Sequence, residues 1–283
     1  MLQYQTIEPG TLQLLKSLQS MPMFQGLRLV GGTGLVISVL LGVASEKFKV
    51  PIDEKEIAVR DCLPGNNCGG CGFAGCDALA KAIACGEAPV NACPVGGAKV
   101  ADQIAAIMGV EAETGTKKVA FVKCAGTCEL AKSKYEYTGI EDCVAAMSVP
   151  GGGPKACAFG CTGFGSCVKV CDFDAIHVYN GIAQVDEEKC VACGKCVDTC
   201  PKKLIELVPY QQKYKVQCSS KEFGKPVKEV CSTGCIGCKM CSRVCKFDAI
   251  HVENNIAKID YEKCVGCGAC AAKCPSGIII KYA

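Results

Sequence analysis

The longest apolar stretch of the chain lies near its N-terminus, where 17 consecutive residues, 29–45, carry no charge. As a helix this stretch is about 25 Å long at 1.5 Å per residue, and a bilayer core needs roughly 17–25 residues. We therefore predict one transmembrane helix over residues 27–46, with a buried core helix or a signal-peptide segment as alternatives. Small residues recur three or four positions apart and form a stripe that lets a second helix approach in lipid. The stripe consists of Gly31, Gly34, Ser38 and Gly42.

Short β-prone runs occur twice along the chain, with a constant offset of 74 residues. In the first copy AIHV and IAQV flank Asn180-Gly181, and in the second AIHV and IAKI flank Asn254-Asn255. Asn and Gly tolerate the left-handed backbone of a tight turn, so each pair of runs predicts a small β-hairpin. Upstream, an Ala-rich segment from Asp77 to Gly86 predicts a short helix.

The hairpins belong to a longer duplication, because residues 157–200 repeat at 231–274. Cys accounts for 27 of the 283 residues, and Trp is absent. A large aromatic core is therefore not expected, and metal bound by thiolates is the candidate for holding the chain together. A disulfide scaffold is disfavoured because the chain is long and its number of Cys is odd. The net charge is only +3 without a basic run, which argues against a nucleic-acid-binding protein.

The spacing of Cys in the second copy is that of a two-cluster bacterial ferredoxin. Two runs of Cys-x2-Cys-x2-Cys-x3-Cys occur, and in such runs three thiolates bind one [4Fe–4S] cluster while the fourth reaches the other cluster. Structural zinc sites use two separated pairs of ligands instead. The spacing thus predicts one cluster on Cys235, Cys238, Cys241 and Cys274, and a second on Cys264, Cys267, Cys270 and Cys245.

The first copy has one complete set of ligands, Cys190, Cys193, Cys196 and Cys171. In its other set Phe164 stands at the middle position, which leaves Cys161, Cys167 and Cys200. Either this cluster has three irons or a fourth ligand comes from elsewhere. The tentative ligands are Cys124, Cys128, Cys143 and Cys157, which are also numerous enough for a cluster of their own. Cys218 and Cys231 echo Cys143 and Cys157 in the second copy, and we interpret them as free buried thiols.

A Gly-rich motif, LPGNNCGGCGFAGC, follows the apolar stretch. Together with a later Cys it provides four thiolates for a further [4Fe–4S] cluster, with zinc as the alternative. Its glycines allow the backbone to fold tightly and to direct N–H groups at the sulfurs. The predicted ligands are Cys68, Cys71, Cys76 and Cys93, whereas Cys62 and Cys85 fall outside the spacing and are not expected to bind metal.

These motifs predict an α+β chain of small Fe–S domains with five [4Fe–4S] clusters, or six if the tentative ligands form one; the cluster at Phe164 is the candidate for [3Fe–4S]. The predicted order is one N-terminal transmembrane helix, a Gly/Cys-rich [4Fe–4S] domain and two tandem two-cluster bacterial-ferredoxin-like domains. The boundaries are an N-terminal extension 1–26, the transmembrane helix 27–46, a linker 47–60, the [4Fe–4S] domain 61–110, a Cys-containing connector 111–150, and ferredoxin-like domains 151–209 and 210–283.

The succession of an apolar stretch, LPGNNCGGCGFAGC, PVNACPVGG and tandem ferredoxin motifs resembles the B subunits of Rnf complexes. The resemblance covers about residues 27–283. The stretch PKACAFGCTGFGSCVKVC, with Phe164 in place of Cys, also resembles those B subunits that carry two ferredoxin modules.

The resemblance implies membership of an ion-translocating ferredoxin:NAD oxidoreductase, in which electrons of soluble ferredoxin enter through this chain. The implied partners are the other subunits of a membrane redox complex, where the nicotinamide and flavin sites lie. We expect no nucleotide site on this chain, since it has no P-loop and no dinucleotide fingerprint. The implied location is the cytoplasmic (inner) membrane, with one span and the Fe–S domains on the cytoplasmic side.

The last segment of the chain, 217–283, has ten basic and six acidic residues. This surplus of positive charge would attract an acidic ferredoxin, and we place a hypothetical docking site at Lys239, Arg243 and Lys246. Two other functions stay open: a polyferredoxin of another membrane redox complex, and a reducing system for an Fe–S sensor. A Cys-rich zinc protein is the alternative from a different class.

Overall fold

The computed structural model describes residues 22–48, 53–111 and 115–282, with side chains from residue 31 onward. The chain divides into two compact units, Met1–Asp53 and Glu54–Ala283. The described part of the first unit is helix α1, Pro22–Lys47. Most of the predicted extension 1–26 lies outside the described residues. Among the residues that are described, no helix combines the length and the apolar character that crossing a bilayer requires, so the predicted span is not confirmed.

The second unit begins with three packed helices: α2 (Glu54–Cys62), α3 (Cys76–Ala84) and α4 (Gly97–Met108). Helix α3 confirms the helix predicted from the Ala-rich segment. Helix α2 starts inside the predicted linker, and it packs there because Val59 is fully buried against the other two helices. Gly109 ends α4 in the left-handed conformation, with φ 71°, which Gly adopts without steric cost. We call this helical part the N-terminal Fe–S domain.

A first ferredoxin module follows. Its outer sheet pairs two antiparallel strands that are distant in sequence, with Val119 opposite Val208, and the first of these strands lies within the predicted connector 111–150. The module contains β1 (Lys118–Val122), α5 (Cys143–Met147), α6 (Ser166–Lys169), β2 (Ile176–Tyr179), β3 (Ile182–Val185), α7 (Lys195–Thr199) and β4 (Ile205–Pro209).

The second ferredoxin module repeats this plan. It contains β5 (Tyr214–Val216), α8 (Lys225–Val230), α9 (Met240–Val244), β6 (Ile250–Glu253), β7 (Ile256–Ile259), α10 (Ala269–Ala272) and β8 (Ile279–Lys281). Its outer sheet pairs β5 with β8 antiparallel, and its hairpin pairs β6 with β7.

Both predicted hairpins are confirmed, as β2–β3 and β6–β7. Asn180 and Gly181 have φ of 47° and 74°, and Asn254 and Asn255 have φ of 49° and 64°. Positive φ at both central residues is the type I′ geometry, whose twist matches that of the flanking strands. The turn residues therefore fix the register of each hairpin.

A buried ion pair joins the two modules. Lys215 of β5 is fully buried and its ammonium contacts the carboxylate of Glu187, which follows β3 of the first module. The same ammonium lies 4.4 Å from the ring centroid of Tyr282 and 5.5 Å from that of Phe121. The positive charge is thus compensated by a carboxylate and two aromatic faces.

Candidate metal centres

The N-terminal Fe–S domain brings most of its predicted ligands into its helical core. Cys76 and Cys93 are buried, and Cys71 packs against the same core. Burial raises the pKa of the Cys93 thiol, and the neighbouring thiols Cys76 and Cys71 raise it further. The Gly96 N–H donates to Cys93 Sγ at 3.4 Å. Of the two Cys not expected to bind metal, Cys62 is half-buried and Cys85 is exposed.

The first module contains a cavity lined by four thiols, Cys171, Cys190, Cys193 and Cys196. This is the complete set that the spacing predicts. The Ala120 N–H of β1 donates to Cys190 Sγ at 3.3 Å, and the Ala175 N–H donates to Cys171 Sγ at 3.4 Å. Burial, together with the neighbouring thiols, raises the pKa of Cys196 to about 12.

A second four-thiol cavity of this module gives the incomplete set a fourth member. It is lined by Cys161, Cys167, Cys200 and Cys143. Cys143 begins helix α5, and its N–H donates to Ser166 Oγ at 2.8 Å. The Ser166 hydroxyl in turn donates to Asp142, the N-cap of α5, at 2.7 Å. This hydrogen-bonded chain fixes the start of α5 beside the cavity.

Phe164, which replaces the middle Cys, makes an aromatic contact instead. Its ring stacks on Tyr137 of the connector at 5.0 Å between centroids. The aromatic pair thus attaches the segment that carries Cys143 to the motif that lacks its middle thiol.

The second module places Cys235, Cys238, Cys241 and Cys274 around one cavity. Burial raises the pKa of Cys241 to about 11. Cys245 belongs to the second predicted set of this module, and its Sγ accepts a hydrogen bond from the Ala249 N–H at 3.4 Å. The equivalent Ala175 N–H donates to Cys171 Sγ in the first module. The pKa of Cys270 is raised by burial and by the nearby thiols of Cys264 and Cys267.

One further four-thiol cavity lies between the two modules, and we call its Cys the bridging set. The set consists of Cys124, Cys157, Cys218 and Cys231. Burial raises the pKa of Cys218 to about 11. The buried Lys155 also lines this cavity, and its ammonium donates to the carbonyl oxygens of Gly126 and Gly181 at 2.6 and 2.7 Å.

The bridging set is built from equivalent positions of the two modules. The Cys161 N–H donates to Cys124 Sγ at 3.3 Å, and the Cys235 N–H donates to Cys218 Sγ at the same distance. Cys161 and Cys235 are equivalent by the offset of 74, so Cys218 corresponds to Cys124. The match of Cys218 with Cys143 is therefore wrong: the two are 75 residues apart, one more than the repeat offset, and Cys218 instead holds the position of Cys124 after the outer strand.

Of the four tentative ligands, the structure leaves one apart from the four-thiol cavities. Cys128 is exposed and its N–H donates to the Asn180 carbonyl oxygen at 3.0 Å. Sequence reasoning did not place Cys218 and Cys231 in a four-thiol set. The signal that could have found them is their position: Cys218 comes two residues after the outer strand, as Cys124 does.

The thiol sets fit [4Fe–4S] clusters. In the described ranges no three His, Cys, Asp or Glu side chains converge on the position of one ion. A cubane has one iron for each of its four thiolates. In four of the sets, the four thiols line one cavity that belongs to that set alone. Main-chain N–H groups point at the sulfurs, as they do where they stabilise cluster thiolates. Burial raises the pKa of Cys167, Cys196, Cys218 and Cys241, so iron binding at these thiols must release protons.

Repeated four-thiol cavities on ferredoxin modules define a multi-cluster iron–sulfur protein. Three family models agree: one for an Fe–S cluster at residues 63–95, a 4Fe-4S binding domain at 183–206 and a 4Fe-4S dicluster domain at 234–278.

Three relatives cover most of the chain. The B subunit of the Na⁺-translocating ferredoxin:NAD⁺ oxidoreductase complex of Acetobacterium woodii is 50% identical over 89% of this chain and 75% of the relative. The B subunit of an ion-translocating oxidoreductase complex of Methanosarcina acetivorans is 41% identical over 91% and 97%. The B subunit of a proton-translocating ferredoxin:NAD⁺ oxidoreductase complex of Clostridium ljungdahlii is 44% identical over 87% and 88%. The chain belongs to the B subunits of Rnf-type ion-translocating oxidoreductase complexes.

Proposed function

We propose that this chain is the electron relay that passes electrons from reduced ferredoxin into an Rnf-type ion-pumping ferredoxin:NAD oxidoreductase. The names of its relatives support the reaction. We name each set other than the bridging set by the first Cys of its motif. The observation that carries the relay is that main-chain contacts link the Cys68 set to the Cys190 set, and the bridging set to both the Cys161 and the Cys235 sets. Clusters held there supply one-electron transfer, and all-Cys ferredoxin clusters lie near −400 mV.

The N-terminal Fe–S domain meets the first module at the complete Cys190 set. A Cβ on Gly70 would lie 2.7 Å from the carbonyl oxygen of Cys193, so the two backbones are in direct contact. The thiol of Cys68 is close enough to that of Cys193 to raise its pKa, although burial is the larger cause. The Cys68 and Cys190 sets are thus neighbours.

The bridging set supplies the connection between the modules. One of its thiols accepts the N–H of Cys161, and another accepts the N–H of Cys235. We infer a sixth cluster on this set, and we infer Cys143 as the fourth ligand of the Cys161 set. With the sets named by their first motif Cys, the proposed order of sites is the Cys68, Cys190, Cys161, bridging, Cys235 and Cys264 sets.

An activity test on the whole complex decides this proposal. The double variant Cys218→Ala/Cys231→Ala should lose at least about 10-fold of ferredoxin-dependent NAD reduction, while dithionite still reduces its other clusters. Cys85→Ala, which changes an exposed thiol outside the sets, is the matched control and should keep the activity. An unaltered rate in the double variant would show that electrons do not need the bridging set.

We also propose that α1 anchors the chain in the cytoplasmic membrane, with the second unit on the cytoplasmic side. The support is the uncharged run 29–45 within α1 and the exposure of its apolar side chains, for example 68% for Leu35 and 64% for Leu41. The full chain should stay in membranes washed at alkaline pH, and Leu41→Arg should release it. Release of the unaltered chain, or protease digestion of its Fe–S domains from the outer face, would refute the anchor or its orientation.

A further inference from the structure

A groove with a volume of 560 Å³ lies between the two modules. One wall comes from the outer sheet of the first module, and the other comes from hairpin β6–β7 of the second. Five lysines line this groove: Lys123, Lys202, Lys203, Lys221 and Lys258.

The groove carries a surplus of positive charge. Among its lining residues the carboxylate is that of Glu206, which pairs with Lys123 at 2.7 Å. Five ammonium groups against one carboxylate leave a net charge of +4 on the lining, and Glu253, which lies outside the lining, pairs with Lys258 at 2.8 Å. Lys202 and Lys203 donate to main-chain carbonyl oxygens rather than to carboxylates, each at 3.0 Å. Lys203 is exposed, so its charge stays available to an anionic partner, whereas Lys202 is half-buried.

The floor of the groove reaches the bridging set. Cys218 lines both the groove and the four-thiol cavity, and Phe159 does the same. Apolar side chains, such as Leu207 and Ile259, lie between the lysines. A positive rim with apolar surface between its charges matches the makeup of a protein–protein docking site. Electron transfer falls steeply with distance, so a carrier seated here would be close to the bridging set.

We propose that this groove docks an acidic ferredoxin-type electron carrier, whose carboxylates face the lysines, and that electrons enter the relay at the bridging set. The inference rests on the proposed function and names where its partner binds. The competing position is the tip of the second module, where Arg243 and Lys246 carry exposed positive charge.

Two charge-reversal variants of the full-length, cluster-loaded protein separate the two positions. Lys221→Glu/Lys258→Glu changes the groove, and Arg243→Glu/Lys246→Glu changes the tip by the same net charge. All four side chains are exposed, and the pair that Lys258 makes with Glu253 is also exposed, so folding should be little affected. Stopped-flow reduction by reduced ferredoxin is measured at low and high salt, with dithionite as a small reductant that needs no docking site.

The groove variant should be reduced by ferredoxin about 10-fold more slowly at low salt, and the difference should shrink at high salt. The tip variant should stay within about twofold of the unaltered protein, and dithionite should reduce all three equally. Slowing confined to the tip variant, or equal slowing of both, overturns the proposal. So does saturable competition by millimolar inorganic phosphate, because the groove would then be a small-anion site. If ferredoxin fails to reduce even the unaltered protein, the proposed function is what fails.

Discussion

Iron content gives the sharpest test of the bridging set. Six sites of four irons each predict about 24 irons and as many labile sulfides per chain, whereas five sites predict about 20. Cys218 and Cys231 are buried and line one cavity with two other thiols. Removing both leaves two thiolates, too few to hold a cubane. The variant Cys218→Ala/Cys231→Ala should therefore contain about 20 irons.

A second variant tests the site at Phe164. Cys143→Ala leaves the three thiolates of Cys161, Cys167 and Cys200 around the same cavity. Three thiolates hold three irons, so this variant should lose about one iron rather than four. It should also show the EPR signal of an oxidised [3Fe–4S] cluster as isolated. Loss of four irons would mean that Cys143 is needed for assembly, and no loss would remove it from the ligands.

The assay is anaerobic purification of the full chain, followed by iron and sulfide analysis and EPR after dithionite. Cys85→Ala and Cys128→Ala are matched controls, because both thiols are exposed and lie outside the four-thiol cavities. The remaining cluster signals report whether a variant has folded. The reasoning is refuted if the unaltered chain and the Cys218→Ala/Cys231→Ala variant contain the same amount of iron.

Three further substitutions test the packing around the sites. Gly70→Ala places a Cβ 2.7 Å from the carbonyl oxygen of Cys193; iron content should be retained while ferredoxin-dependent activity of the complex falls. Glu187→Gln leaves the buried ammonium of Lys215 unpaired, which should destabilise the chain by about 3 kcal/mol. The urea concentration at the midpoint of anaerobic unfolding, followed by visible absorbance, should therefore fall. Adding Lys215→Met removes the unpaired charge and should restore part of the lost stability. Ile104→Ala empties a fully buried position of the N-terminal Fe–S domain and should cost about 2–5 kcal/mol, measured by loss of that domain's EPR signal in urea.

Local patterns in the sequence predicted the local structure. Asn-Gly and Asn-Asn between β-prone runs indicated two hairpins, because the turn conformation depends on the turn residues themselves. The Cys-x2-Cys-x2-Cys triplets that begin at Cys190 and Cys235 indicated which thiols share a cavity, because their spacing brings them together on one loop. The pairing of β1 with β4 was not predicted, since Val119 and Val208 meet only after the module has folded.

The equivalence of Cys124 and Cys218 could not be predicted from the sequence, because the two lie at different distances from the Cys motif that follows them. Cys124 is separated from the next motif by a longer segment than Cys218 is, because the first module carries the segment with Cys143 in between. Lengthening the chain between two fixed elements costs little loop-closure free energy, so the two modules can differ in length here. The offset of 74 residues therefore holds for the Cys motifs and for Cys157 and Cys231, but it does not relate Cys218 to its true equivalent, Cys124.

The symmetry of the bridging set explains why both modules are needed in one chain. Each module contributes one Cys after its outer strand and one Cys four residues before its first motif Cys. Two thiolates from one module cannot complete a cubane, so the site exists only where two modules face each other. The buried pair of Lys215 and Glu187 holds that arrangement, because its groups come from different modules. Weakening the pair should consequently loosen the bridging set before the sets inside each module, and Glu187→Gln should lose the bridging cluster's EPR signal at the lowest urea concentration.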